Sequence, residues 1–471
     1  MPLLNSNFTN DDFFKKNMGI ENQIEKYREI IDSNLIFDSL EAIEELIQDC
    51  IDNEKFEDAL YFVNRLLDIS PYNSEYWFKK GIILNSQLKF NDALDCYIKS
   101  LSLNPSDTEV MIEKATTEEN LDMIEKSRET LKNAFVLEPK NEDILYNLGL
   151  LEQHEENYYK AIDYFKKAIS IDENFSEAMF ELGYCYENME LLTEALAYYD
   201  RFLDIEPYNP NGWYNRGVIL AKLEQLEKAI ESYDLVLAIK EDFTSALFNK
   251  GNALADLGRL QQAIECFEMV IKIDVTDYAS HYNIGNIYEE LGDVIKAIKY
   301  YSDAIKLNTK YYEAYLARGY CYDLMGKFQL ALRDFNKAIA MTTNNADAWF
   351  AKANLEYSLG KLKEAIASYK NAAKIEPDNF EVWFNLAETY YELGNWSETL
   401  LSFEQCIRLK PENAAAHYGK AKVSFVLSKT QDAIDSLKSA FILDPSIKRE
   451  FAEEYPEIKS SKLFKKLLGE V

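Results

Sequence analysis

The sequence predicts an all-α chain built as a tandem stack of antiparallel helix hairpins, and three observations carry that prediction. Sixteen glycines and ten prolines in 471 residues are too few for a loop-rich or all-β chain. Apolar residues make up 47% and aromatic residues 13%, which is ample for a packed core and excludes a disordered chain. Most informative is the placement of the backbone-punctuating residues. Seven of the ten prolines (Pro71, Pro105, Pro139, Pro207, Pro377, Pro411, Pro445) fall on one lattice of spacing 34. Seven glycines (Gly81, Gly149, Gly183, Gly217, Gly251, Gly285, Gly319) fall on a second lattice of the same spacing, and five more (Gly258, Gly292, Gly326, Gly360, Gly394) on a third.

Taken in order, residues 1–39 are expected to form an N-terminal arm and a capping helix around Ile20 to Ile31. Twelve units of 34 residues then run from residue 40 to residue 447 without an insertion. Within a unit, apolar or small residues at positions 4, 7, 8 and 11 mark one face of a first helix. In unit 210–243, Trp213, Gly217 and Leu220 are followed at positions 20, 24 and 27 by Ala229, Tyr233 and Val236, the face of a second helix. Position 20 is alanine in ten units, and small residues opposite each other allow two helix axes to approach closely. Glycine at position 15 suits a left-handed residue that stops a helix, and proline at position 32 ends the second one. In unit 108–141, Lys114, Glu118 and Ser127 replace an expected apolar residue, an aromatic and an alanine, so weaker packing and a softer joint are expected there. Residues 448–471, with Phe451, Tyr455, Ile458, Leu463, Phe464 and Leu467, read as a C-terminal capping helix.

Trp77, Gly81, Ala93, Tyr97 and Pro105 in one unit, and Leu182, Gly183, Tyr186, Ala195, Tyr199 and Pro207 in another, resemble the tetratricopeptide repeat. The resemblance spans residues 40–447 and fixes period, helix pattern and residue identity together. It implies a right-handed superhelical solenoid of antiparallel helix hairpins, with first helices lining a concave face and capped ends.

Composition narrows function. With 51 Lys and Arg against 81 Asp and Glu, the net charge is −30, so nucleic acid and anionic lipid are repelled. Six cysteines without a CxxC pair read as buried thiols in a reducing cytoplasm. The N-terminal residues lack a leader pattern and no apolar run reaches membrane-spanning length. His154, His281 and His417 share no metal-ligand spacing, and no nucleotide-binding or nucleophile motif is present. No catalytic residue, metal or cofactor is expected, and the chain is read as non-enzymatic.

At 100° per residue, positions 2, 5, 6, 9 and 13 lie opposite the core stripe and should line the groove. Position 6 carries Asn147, Asn215, Asn249, Asn283 and Asn385, and position 9 carries Asn252, Asn286 and Asn354. An amide both donates and accepts, so a ladder of amides suits the backbone of an extended peptide, or else these asparagines are simply part of the repeat pattern. The pattern is similar to the asparagine ladder in the repeat domain of O-linked N-acetylglucosamine transferase, which implies binding of extended polypeptide. Position 5 is aromatic in nine units, including Tyr214, Phe248 and Tyr282; such rings are expected either to pack between neighbouring first helices or to touch the ligand. Position 2 is acidic in eight units, which serves the helix dipole and also favours a basic or amphipathic ligand. No unit has lysine at position 5, so the clamp that resembling repeat domains use for acidic chaperone tails is not expected. The leading expectation is therefore a scaffold or adaptor holding an extended segment of a partner protein, without a small-molecule substrate. Two alternatives stand beside it. One is a peripheral cytoplasmic-side subunit of a membrane or secretion assembly, contacting the membrane indirectly or through Lys459, Lys462, Lys465 and Lys466 with Phe464, Leu467 and Leu468. The other is a regulatory subunit of an enzyme bound in trans.

Overall fold

The computed structural model describes residues 10–32, 40–342 and 344–455, with side chains from residue 19. Among these residues there are twenty-six helices and no strand, divided between two compact units that meet in sequence at Glu241 and Asp242. The first unit holds α1 (Asn10–Asp32) and six hairpins: α2/α3 (Leu40–Asp52, Phe56–Ile69), α4/α5 (Ser74–Ser86, Phe90–Leu103), α6/α7 (Thr108–Asn120, Ile124–Leu137), α8/α9 (Glu142–His154, Tyr158–Ile171), α10/α11 (Ser176–Asn188, Leu192–Ile205) and α12/α13 (Pro210–Lys222, Leu226–Ile239). The second holds α14/α15 (Thr244–Asp256, Leu260–Ile273), α16/α17 (Tyr278–Glu290, Val294–Leu307), α18/α19 (Tyr312–Leu324, Phe328–Met341), α20/α21 (Ala346–Ser358, Leu362–Ile375), α22/α23 (Phe380–Leu393, Trp396–Leu409), α24/α25 (Ala414–Val426, Thr430–Leu443) and α26 (Ile447–Glu454). The C-terminal Ile458, Leu463, Phe464 and Leu467, and the lysines and apolar residues of 459–468, lie outside the described residues.

Each unit is a stack of these hairpins, and their regularity has local causes. Position 15 is left-handed in all twelve: five use glycine, while Glu54, Leu88, Asp122, Glu156, Glu190, Glu224 and Ser428 adopt the same positive φ. Asn or Asp at position 34 caps the following first helix in eight hairpins, its side chain accepting from backbone N–H groups of the first turn. The proline at position 32 does more than end a helix. Its carbonyl accepts the indole N–H of the tryptophan six residues on: Trp77 to Pro71 at 2.9 Å, Trp213 to Pro207 at 2.9 Å and Trp383 to Pro377 at 2.8 Å.

The hairpin closes where position 8 meets position 24. A Cβ on Gly183 would lie 2.6 Å from Tyr199, and one on Gly285 2.5 Å from Tyr301, so the missing side chain admits a fully buried ring. That places the core between the two helices of each hairpin and against the neighbouring hairpin, in clusters such as Leu182, Tyr186, Ala195, Tyr199 and Phe202. All six cysteines are buried and free.

Two expectations about the core need correction. Position 7 is not a regular core position, because seven hairpins carry Lys or Arg there (Lys80, Lys114, Arg216, Lys250, Arg318, Lys352, Lys420). Four of these cations cover the ring three residues earlier, Lys80 on Trp77, Arg216 on Trp213, Arg318 on Tyr315 and Lys352 on Trp349, at 5.3–5.5 Å. One helical turn brings the cation over the ring while its stem packs and its head reaches water. Lys114 therefore follows a pattern. Glu118 does as well: it is 3% exposed, lies 2.6 Å from Lys114 and accepts from Thr130 at 2.8 Å. Glu356 repeats the arrangement with Lys352 at 3.7 Å and Ser368 at 2.6 Å. In α6/α7 Ser127 replaces the usual alanine, and its fully buried hydroxyl has no hydrogen-bond partner among the described residues, as is also true of Ser280 and Ser424 in other hairpins.

Candidate peptide-binding face

The asparagines at positions 6 and 9 lie on first helices and face one another across successive hairpins. In the second unit, Asn283 Nδ2 on α16 donates to Asn252 Oδ1 on α14 at 2.9 Å. Asn385 Nδ2 on α22 donates to Asn354 Oδ1 on α20 at 3.3 Å. Both pairs join residues 31 apart, which is one repeat less one helical turn. Each pair leaves the amide NH2 of Asn252 or Asn354 and the carbonyl oxygen of Asn283 or Asn385 outside the bond between them. A donor and an acceptor on adjacent side chains match the C=O and N–H that one residue of an extended chain presents on the same side.

The second helices support this row from behind. Tyr369 Oη donates to Asn354 Oδ1 at 2.6 Å. Tyr301 Oη stands 2.8 Å from Asn286 Oδ1 and 2.6 Å from Glu289 Oε2, and its one proton serves one acceptor at a time. Burial first, then Glu289, pushes the Tyr301 hydroxyl well above the ordinary phenol range, so it stays protonated and donating. Tyr at position 24 with Asn at position 9 is the sequence signal for this bracing, and it escapes a reading that treats position 24 only as core. Asn252, Asn283 and Asn286, with Asp256 and Glu290, line a cleft of about 490 Å³.

Not every asparagine joins the row. In the first unit, Asn147 Nδ2 turns back to the carbonyl of Asp143 at 2.8 Å. Asn215 Nδ2 donates to Tyr199 Oη at 3.4 Å. Asn249, on α14, is half-buried.

The position 5 rings meet the second helix of their own hairpin and, as Tyr282 shows, also reach the core cluster shared with the next first helix. Tyr214 meets Tyr233, Phe248 meets Phe267 and Tyr282 meets Tyr301, at 5.5–6.2 Å between centroids. Each partner is the position 24 ring on the second helix of the same hairpin, because the small residue at position 8 leaves that ring exposed to its neighbour on the first helix. Tyr282 also touches Tyr311, at the start of the next hairpin, at 5.1 Å.

In the first unit the same face is acidic. Glu113 on α6, Asp143 on α8, and Glu177 and Glu181 on α10 make no ion pair among the described residues. Burial, then Glu109, raises the Glu113 carboxyl above its usual value. Burial likewise raises Asp143, with Glu142 and Glu177 adding to it. Burial raises Glu181 against the opposing bond that Gln153 donates at 2.7 Å. These are carboxylates held without counter-charges.

Elsewhere among the described residues, no group of three His, Cys, Asp or Glu side chains could hold a metal ion, and no helix is long and apolar enough to cross a membrane. Burial pushes the Cys50, Cys185 and Cys406 thiols up to about 12, which makes them poor nucleophiles. Burial lowers the His281 pKa, and its ring stacks obliquely near Tyr300 at 6.1 Å.

Twelve hairpins of one period, closed at the same positions, define a tandem helical-repeat protein. Family models for the tetratricopeptide repeat match residues 142–175, 176–209, 210–243, 278–311, 312–345 and 384–446, and a related TPR repeat model matches 251–292 and 353–394. The chain belongs to the tetratricopeptide-repeat family, whose arrays are protein-interaction scaffolds. Among solved structures it is similar to a tetratricopeptide repeat protein from Parabacteroides merdae ATCC 43184 (18% identity, TM-score 0.43, 53% of this chain and 98% of that one). It is also similar to the Cut9–Hcn1 hetero-tetramer of the APC/C (15%, 0.37, 93% and 97%), and to YrrB, described as a TPR protein with an unusual peptide-binding site (20%, 0.34, 40% and 96%). These likenesses concern the fold alone. Among curated protein sequences none matches this chain.

Proposed function

We propose that this protein is a non-enzymatic scaffold whose first-helix face takes an extended, basic or amphipathic segment of a partner protein. The observation that carries the reading is the cleft lined by Asn252, Asn283 and Asn286, in which Asn283 is bonded to Asn252, Asn286 is braced from behind by Tyr301, and two carboxylates, Asp256 and Glu290, stand at the rim with no cation among the lining residues. Paired amides recognise backbone whatever the side chains, and the carboxylates select for lysine or arginine beside it. The unpaired Glu113, Asp143, Glu177 and Glu181 of the first unit support the same preference. The buried thiols, none in a disulfide, fit a reducing, cytoplasmic setting.

The test is fluorescence anisotropy with a labelled lysine-rich extended peptide and its glutamate-substituted counterpart. The lysine peptide should bind more tightly, and the Asn252→Ala, Asn283→Ala, Asn286→Ala triple variant should weaken it while the far-UV circular dichroism stays unchanged. Equal binding by the triple variant would remove the amide row from the reading.

A further inference from the structure

Helix α22 breaks a rule that the other three tryptophans at position 4 keep. Trp77, Trp213 and Trp349 each lie under the Lys or Arg three residues on. At the fourth such tryptophan, Trp383, that residue is Leu386, and no cation among the described residues covers the ring. Trp383, Leu386 and Tyr390 form the floor of a cleft of about 650 Å³ walled by α21 and α23, a size that suits bulky apolar side chains. On the α23 wall stands Leu401, 65% exposed. It occupies position 22, which is charged in eight of the twelve hairpins, from Asp95 and Glu129 to Arg333 and Asp435. Leu401 is thus exposed apolar surface beside the half-buried Trp383, which packs on its other side into the core.

The opposite wall supplies the charge. Lys370 and Lys374 line it, Lys370 with its ammonium 5.6 Å from the Tyr390 ring centroid. Neither makes an ion pair among the described residues, although the chain carries 81 carboxylates. Glu398 stands on the α23 side, so the two rims differ in sign and orient whatever binds between them.

We infer that this cleft is a second docking site, separate from the first-helix face and of opposite preference. Its occupant is an acidic amphipathic segment of a partner protein that seats bulky apolar side chains on Trp383 and Leu401 and turns its carboxylates toward Lys370 and Lys374. Apolar anchors supply the affinity, and the lysine wall supplies selectivity and salt dependence. The scaffold then engages two segments of opposite charge on two faces.

The experiment uses the full chain and two fluorescein-labelled amphipathic peptides of identical apolar pattern, one bearing Asp and Glu and the other Lys at every polar position. The acidic peptide should bind, more weakly as salt is raised, and on the order of tenfold more tightly than the lysine peptide. Leu401→Asp should lower its affinity on the order of tenfold, the loss expected of one apolar anchor. The Lys370→Glu, Lys374→Glu pair should abolish the preference for acid. Leu386→Lys is a second, independent variant, since it installs the covering cation that other hairpins already carry, and it too should close the site. The Asn252, Asn283, Asn286 alanine variant should bind the acidic peptide as the wild type does. Absence of a preference for the acidic peptide, or full affinity in both Leu401→Asp and Leu386→Lys, overturns the proposal. So does concentration-dependent self-association that Leu401→Asp removes, because the occupant would then be a second copy of the chain.

Discussion

Leu88→Gly should stabilise the α4/α5 hairpin, and Gly292→Leu should destabilise α16/α17 by a similar amount. Both residues occupy position 15, Leu88 at φ 60 and Gly292 at φ 75. The Leu88 side chain is 74% exposed, so removing it forfeits almost no burial. A Cβ at Gly292 would meet no atom within 4 Å, so adding one creates no clash, and backbone strain is the term left at both sites. The left-handed conformation costs a side-chain-bearing residue about 1–2 kcal/mol, while the freedom glycine loses on folding returns about 0.5–1 kcal/mol of that. The net is about 0.5–1 kcal/mol at each position. Because repeat arrays open hairpin by hairpin, the measurement is native-state hydrogen exchange resolved by hairpin. Exchange in α4/α5 should slow about two- to fivefold in Leu88→Gly and that in α16/α17 should quicken as much in Gly292→Leu. The double variant keeps the composition and should leave the summed stability unchanged while moving protection from one hairpin to the other. Faster exchange of α4/α5 in Leu88→Gly, or no change at α16/α17 in Gly292→Leu, would refute the strain argument.

Three other outcomes follow from named contacts. Ser127→Ala removes a buried hydroxyl without a partner at a position that is alanine in ten hairpins, and should raise stability by about 1 kcal/mol, read as slower exchange in α6/α7; exchange in that hairpin no faster than in its neighbours in the wild type would end the expectation of a softer joint. Lys114→Met strands Glu118 as an uncompensated buried charge and should cost about 3 kcal/mol, whereas Lys114→Met with Glu118→Leu should recover most of it; a double variant as unstable as the single one would show that the pair is not the cause. Glu113, Asp143 and Glu181 have carboxyls raised in the folded state, so the folded chain binds more protons than the unfolded one as pH falls from 7 toward the ordinary carboxylate range, and stability should rise in that window. Glu181→Gln should shift the urea midpoint upward at pH 7 and flatten its pH dependence, and a midpoint lower than wild type at pH 7 would contradict the sign.

Much of the fold is legible because it is punctuated by residues that act locally. Gly258 and Gly292 stop a first helix by their own backbone freedom, and the position 8 glycines reveal a close approach by lacking a side chain. The apolar periodicity identifies two helices per unit, although it overstates position 7, where Lys and Arg stems pack like hydrocarbon and only the heads betray them. The amide row was legible as a list of residues. Its division into bonded pairs was not, and Asn147 shows why: at the same repeat position as Asn283, it bonds its own helix, since the preceding hairpin offers Thr116 at position 9 where Asn252 stands for Asn283.

The sequence by itself determined the period, the helical hairpin, the left-handed stop and the sign of the charge, because each depends on neighbours along the chain or on composition. Only the tertiary structure decided which side chains meet across 15 or 31 residues. Tyr301 behind Asn286, Asn283 on Asn252, and Trp383 left uncovered by Leu386 beside an exposed Leu401 depend on how one hairpin is set against the next, a geometry of close packing that no single helix specifies.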